Sequence, residues 1–216
     1  FQVDTNQGQL DKAKAYHAKT LARAVEKGKM TQADADAAAA RVTYVATMAQ
    51  AKSAGWAVEA ATEQVEVKKK IFREMQANFP ADVVLATNTS SISITDLASA
   101  VGADAGRVIG MHFFNPVPVM ALVEVIKGLA TSEETTQRTI ELAIRMGKTP
   151  VPANDRAGFV SNRVLMPMIN EAFHAWMEGV AAPSDIDQIM KLGCNFPMGP
   201  LRLADFIGLD VCHDIM

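Results

Sequence analysis

The feature that most constrains the fold is a series of short, unbroken apolar runs set between longer amphipathic segments. Val83-Val84-Leu85-Ala86 is the clearest run, and strand-length patterns recur at residues 107–113, 121–126 and 149–153. A strand that is apolar on both faces needs cover on both sides of its sheet. Residues 1–4 read as the tail of another buried strand ending in an acid, and residues 56–61 form a further short apolar run. Helical spacing fills the intervals. It runs through Leu10, Ala13, Leu21, Ala24 and Val25, then through Ile71, Phe72 and Met75, and then from Ser132 to Met146 with Gly147 as its stop. Asn6 is placed to cap the first helix and Gly28 to end it, and Thr31 with Asp34 opens a short Ala-rich helix reaching Arg41. Such alternation predicts an α/β unit with a largely parallel sheet covered by helices.

After about residue 155 the texture changes. Residues 159–178, 183–192 and 200 onward read as helices with no strand between them. Asn, Asp and Gly cluster at 154–158, which places a domain boundary there: an α/β unit over 1–154 and a helical unit over 155–216. The formal net charge of -3 leaves no basic footprint for nucleic acid. No apolar run reaches the ~20 residues that a bilayer span requires. The N-terminal residues lack the charged-then-apolar pattern of an export signal. Cys194 and Cys212 stand far apart without metal-type spacing, which suits inert thiols in a reducing compartment and no metal site.

Three segments place polar residues where an apolar run stops: Asn88-Thr89-Ser90-Ser91, then His112-Phe113-Phe114-Asn115 with Glu124 shortly after, then Asn162-Arg163. Ligands of doubly wound sheets bind beyond the carboxyl ends of the strands. Taken singly, each segment has a plainer reading. Ser90-Ser91 suits a helix N-cap, and a histidine beside two phenylalanines suits a packed ring. Glu124 is more informative, because a carboxylate inside an apolar run costs several kcal/mol unless it is paired. His112 is the natural partner, since a carboxylate fixes an imidazole's tautomer and strengthens it as a base. Such a pair can take a proton from an alcohol while a hydride leaves the same carbon, with Ser90 and Asn162 holding the oxygen in line.

The run from His112 through Asn115-Pro116-Val117-Pro118-Val119-Met120 to Leu122-Val123-Glu124-Val125-Ile126 resembles the signature of 3-hydroxyacyl-CoA dehydrogenases. Asn88-Thr89-Ser90-Ser91, Gly158-Phe159-Val160-Ser161-Asn162-Arg163, Met190-Lys191-Leu192-Gly193, Pro197-Met198-Gly199-Pro200 and the segment from Asp205 to Asp210 follow the family's order. The resemblance implies a Rossmann-type doubly wound sheet followed by an all-helical C-terminal domain. It implies NAD as cofactor and oxidation of a (3S)-3-hydroxyacyl-CoA, 3-hydroxybutyryl-CoA foremost, or the reverse reaction on acetoacetyl-CoA. His112 is then the base, Glu124 its orienting partner, and Ser90 and Asn162 the groups that place the 3-oxygen. Glu63 and Lys68 fall at cofactor positions, Asn88 and Asn115 around the nicotinamide and substrate, and Asp4 at the acid that binds the adenine ribose. Thr20 and Lys27 fall where the family contacts the CoA nucleotide. A homodimer through the helical domain and a cytoplasmic setting, with the mitochondrial matrix as alternative, are further implications.

One departure is plain: no G-x-G-x-x-G occurs anywhere. The first strand and the glycine-rich turn are therefore expected to be missing, and the family's last helices are expected to be missing beyond the helical pattern that runs to Met216, so that both domains are incomplete. Two other readings compete. Another β-hydroxyacid-type dehydrogenase would use a lysine where Asn162 stands, and a non-catalytic relative would have lost its cofactor loop.

Overall fold

The computed structural model describes residues 1–216. Strand β1 (Gln2–Val3) pairs in parallel with β2 (Tyr44–Val45), and helices α1 (Gln7–Glu26) and α2 (Gln32–Ala40) lie between them in the chain. Both N-caps expected from the sequence are formed. The Gly8 amide donates to Asn6 Oδ1 at 2.8 Å, and Thr31 and Asp34 exchange the reciprocal bonds of a capping box.

The main sheet contains β3 (Trp56–Glu59), β4 (Val84–Thr87), β5 (Val108–Phe113), β6 (Leu122–Lys127) and β7 (Thr149–Asn154), in that order across the sheet. Helix α3 (Val65–Asn78) links β3 to β4, α4 (Ile94–Ala98) and a 3-10 segment link β4 to β5, and α5 (Glu133–Arg145) links β6 to β7. β3, β4 and β5 are parallel, β6 runs antiparallel to β5, and β7 is parallel to β6. The sheet is thus mostly parallel, as expected, with one reversal.

Successive strand residues point to opposite faces. Leu85, Val108 and Ile126 join Phe72, Met75, Ile94 and Leu97 on the face covered by α3 and α4. Val84, Ala86, Ile109, Met111, Val123 and Val125 turn the other way, toward Ala143 of α5. This two-sided burial explains why these strands are apolar throughout. Gly110 lets the layers close: a Cβ there would lie 2.8 Å from Ile126 Cβ and 2.9 Å from Ile94 Cδ1.

Helices α6 (Ser161–Met177), α7 (Pro183–Gly193), α8 (Pro200–Ile207) and α9 (Leu209–Ile215) form the second unit. Met166, Ile169, Ala204 and Cys212 fill its centre. Pro183 and Pro200 occupy first-turn positions, where the missing N–H costs nothing. Asp187 of α7 accepts the amides of Leu201 and Arg202 at 2.9 and 3.0 Å, tying α7 to the start of α8.

Several local expectations differ from the structure. The segment expected as one helix from Pro200 breaks at Gly208 into α8 and α9. Ser90 and Ser91 do not cap a helix; Ser93 does, accepting the Asp96 amide at 3.2 Å. β2, α4 and the 3-10 segments had no expectation, because each is short and held by tertiary contacts rather than by periodicity.

Residues 154–160 join the two units. Asp155 accepts Ser93 Oγ and the Thr95 amide, both at 2.8 Å, and its own amide donates to the Lys127 carbonyl. Burial pushes the Asp155 carboxyl up, but the hydrogen bonds from Thr95 and Ser93 together outweigh it and hold the group below the usual range. Gly158 has φ 75°, and a Cβ there would meet the Arg163 amide nitrogen at 2.8 Å, so only glycine turns the chain here.

Candidate active site

The antiparallel register sets His112 of β5 directly opposite Glu124 of β6, so both side chains leave the same face. His112 Nδ1 lies 2.8 Å from Glu124 Oε2, and the residues are 6% and 3% exposed. Glu124 has further donors. Its Oε1 accepts the Ser161 amide at 3.0 Å and the Val160 amide at 3.3 Å, and Oε2 accepts Ser161 Oγ at 3.0 Å. Burial alone would raise the Glu124 carboxyl; the bonds from His112 and from the backbone and side chain of Ser161 override it and hold the group below the ordinary value. A buried carboxylate so satisfied stays ionised beside the imidazole. His112 Nε2 engages no protein group. The ring packs against Phe114 and Phe159, with centroids 4.7 and 6.1 Å away.

The loop after β4 forms the adjoining wall. Asn162, in the first turn of α6, donates from Nδ2 to the Ser90 carbonyl at 2.9 Å, so Ser90 and Asn162 are neighbours although one lies in each unit. Glu63 accepts the Ser90 amide at 3.0 Å and Thr89 Oγ1 at 2.8 Å. Asn88 Oδ1 accepts the Phe113 amide at 2.8 Å, and the Asn88 amide donates to the Glu59 carbonyl, so one residue ties the ends of β3, β4 and β5. Lys68 is 1% exposed; its Nζ lies 2.7 Å from Glu59 Oε2 and 3.7 Å from Glu63 Oε2. Glu59 also accepts Thr87 Oγ1 and the Ala61 amide, both at 2.7 Å.

The remaining sequence candidates lie on the β1–β2 side. Asp4 follows β1 and accepts the Asn6 amide through Oδ1 at 2.8 Å, leaving Oδ2 for a ligand. Thr20 lines a cavity of about 650 Å³ together with Tyr16, His17 and Leu21 of α1 and with Asn115 and Pro116. The Asn115–Pro116 peptide is cis, and Lys148 Nζ holds the loop beyond it by donating to the carbonyls of Val117 and Met120. Lys27 is exposed at the C-cap of α1 and does not line the cavity. Asp4, Thr20 and Lys27 therefore make no contact with the His112 cluster, whereas Asn115 belongs to the loop that joins the two regions.

Sequence reasoning did not single out Glu59, Ser161 or His17. Glu59 is an acid inside the apolar run 56–61, the same signal that exposed Glu124. Ser161 sits inside a recognised motif but resembles an ordinary helix-start serine. His17 lines the cavity with its Nδ1 2.7 Å from Tyr44 Oη, a pairing across 27 positions that no local pattern announces.

Whether these groups suit a dinucleotide can be asked of the donors themselves. Asp4 offers an open carboxylate oxygen at a strand end, as a ribose diol requires. Glu63, with its side chain half exposed, and Asn88 line the ends of β3 and β4 nearest His112. These groups fit the ribose and nicotinamide ends of the cofactor, while residues 1–216 contain no glycine-rich cradle for a pyrophosphate.

Residues 1–156 match the family described as 3-hydroxyacyl-CoA dehydrogenase, NAD binding domain, and residues 158–216 match 3-hydroxyacyl-CoA dehydrogenase, C-terminal domain. A probable 3-hydroxybutyryl-CoA dehydrogenase of Bacillus subtilis is 54% identical over 92% of this chain and 69% of its own length. A second, from Deinococcus radiodurans, is 49% identical over 99% of this chain and 76% of its own. Among solved structures, the (S)-3-hydroxybutyryl-CoA dehydrogenase of Ralstonia eutropha superimposes with a TM-score of 0.96 at 47% identity, covering 99% of this chain and 75% of that one.

Proposed function

The chain belongs to the 3-hydroxyacyl-CoA dehydrogenase family, and from that premise we propose that it oxidises (3S)-3-hydroxybutyryl-CoA to acetoacetyl-CoA with His112 as general base. The carrying observation is the buried His112–Glu124 pair, which leaves Nε2 as the one ring nitrogen without a protein partner. Nδ1–H donating to Glu124 fixes the tautomer in which Nε2 carries a lone pair. Nε2 takes the proton of the 3-hydroxyl, and Glu124 stabilises the imidazolium that forms. NAD, when bound, supplies the acceptor for the hydride leaving C3. In the reverse direction the imidazolium returns its proton to the developing alkoxide.

Asn162 uses one amide hydrogen on the Ser90 carbonyl and keeps a second for the 3-oxygen, beside the Ser90 hydroxyl. These donors meet charge that grows on that oxygen during proton transfer, in a site closed to water on the sheet side. On this reading Asp4 holds the adenine ribose, and Glu63, Asn88 and Asn115 border the nicotinamide and the acyl chain. Lys68 acts on the cofactor side through Glu63, since its ammonium is buried. Thr20 and the cavity beside it take the nucleotide end of CoA, with Lys27 at the rim.

The proposal extends to organisation. The α/β unit over 1–154 carries the cofactor, and the helical unit over 155–216 closes the substrate side. A homodimer through that helical unit is supported by Trp176, Val180, Ile189, Leu192, Phe206 and Leu209, all exposed. No helix is long and apolar enough to cross a membrane. The bacterial sources of both relatives favour a cytoplasmic setting over the mitochondrial matrix.

The test is NADH oxidation driven by acetoacetyl-CoA. It is run on this chain and on the same chain extended by the part of the Bacillus subtilis relative that this chain does not match, the match covering 69% of that relative's length. Turnover in the extended, folded protein is expected. A folded, NADH-binding protein that turns over another 3-ketoacyl thioester but not acetoacetyl-CoA would overturn the substrate assignment.

A further inference from the structure

The Glu124 carboxylate is held from two sides: by His112 of the sheet, and by the first turn of α6 in the helical unit. Four hydrogen bonds reach its two oxygens, and three of the donors come from Val160 and Ser161. The two amides occupy Oε1. Ser161 Oγ alone shares Oε2 with His112, at 3.0 Å against 2.8 Å for the imidazole. We propose that Ser161 is a positioning residue of the dehydrogenase: its hydroxyl fixes the carboxylate oxygen that orients His112 and so couples seating of the helical unit to the catalytic base.

A carboxylate held only through Oε1 can rotate about its last side-chain bond, because that torsion is broad. Rotation would swing Oε2 away from Nδ1 and let the ring leave the line to the substrate hydroxyl. The Ser161 hydroxyl closes that rotation. The place of the residue is itself constrained. Gly158 turns the chain at φ 75°, Phe159 follows at φ 50° with its side chain in the main core, and Ser161 then opens α6 directly over Glu124. Glu124 and His112 have no other charged partner within ion-pair distance. On the packed elements, Lys127 of β6 pairs with Glu133, and Asp155 of the linker is engaged by Ser93 and Thr95. Arg156 of the linker and Arg163 of α6 form no ion pair. The orientation of the pair therefore depends on hydrogen bonds, among which the Ser161 hydroxyl is the only side-chain donor besides His112 itself.

The inference rests on the reading of His112 as the base, so the test includes a measurement that needs no turnover. The Nδ1 proton of His112 is followed by NMR in the unliganded protein, assigned by its loss in His112→Gln. Ser161→Ala should shift and broaden this resonance as the carboxylate gains freedom, and Ser161→Thr, which keeps the hydroxyl, should restore it. In the assay, Ser161→Ala should lower kcat about tenfold or more with KM for acetoacetyl-CoA and NADH unchanged within about twofold, and Ser161→Thr should recover most of the loss. An unmoved resonance in a folded Ser161→Ala protein would overturn the inference, as would a loss that Thr fails to recover. If the resonance moves but neither wild type nor variant turns over, the coupling stands and the dehydrogenase reading fails.

Discussion

At the scale of single residues, the chain keeps charge inside its core only where several partners meet it. Glu124 has four donors, and Glu59 has Lys68, Thr87 and the Ala61 amide. Removing one member of a buried pair strands the other, at a cost of about 3–5 kcal/mol. Glu59→Ala should therefore lower the urea midpoint sharply, and adding Lys68→Met should recover much of the loss. A single variant as stable as wild type would show that Lys68 finds water or another anion. The same logic marks what the sequence disclosed. Glu124 was legible because a carboxylate inside an apolar run needs a partner, and His112 was the natural one. Glu59 interrupts the 56–61 run as well, but its partner Lys68 lies in the following helix, in a row of three lysines that reads as solvated. Ser161 was hidden because its hydroxyl acts across the junction between units rather than on its own helix.

At the scale of elements, long helices with side-chain caps and apolar strands covered on both faces were readable. Their pattern reflects local geometry and burial together. Short elements were not: β2 spans only Tyr44–Val45 and exists because β1 lies beside it. Gly110 shows how tightly β5, β6 and α4 close. Gly110→Ala should destabilise by about 1–3 kcal/mol through overpacking, read as a lowered denaturation midpoint. The linker offers a pH test. The Asp155 carboxyl is held below its ordinary value, so its contribution is complete above the unfolded value of about 4 and fades as pH falls through the lower folded value. Asp155→Asn should thus be less stable than wild type at pH 7, with the gap narrowing on acidification toward pH 3. A gap independent of pH would mean that the Ser93 and Thr95 bonds do not depend on the charge of Asp155.

At the scale of the whole molecule, the proposed site lies where two differently built units meet. The sheet supplies His112 and Glu124 by register, the loops after its strands supply Ser90 and Asn88, and the helical unit supplies Asn162. The mostly parallel sheet and the helical unit were legible as a change of texture near residue 155. The contacts between the units were not, because they join residues up to 72 positions apart. The proposed homodimer is checked by sedimentation velocity on the extended chain, where a species of twice the monomer mass is expected and a monomer at every concentration would contradict it. The central claim, however, concerns one imidazole. The most direct measurement compares wild type with His112→Gln in the extended chain, following acetoacetyl-CoA-driven NADH oxidation beside NADH affinity by fluorescence. The account predicts a loss of turnover of about a hundredfold to ten-thousandfold with NADH affinity preserved. Preserved turnover with a large loss of NADH affinity would contradict it and make His112 a cofactor-binding residue instead.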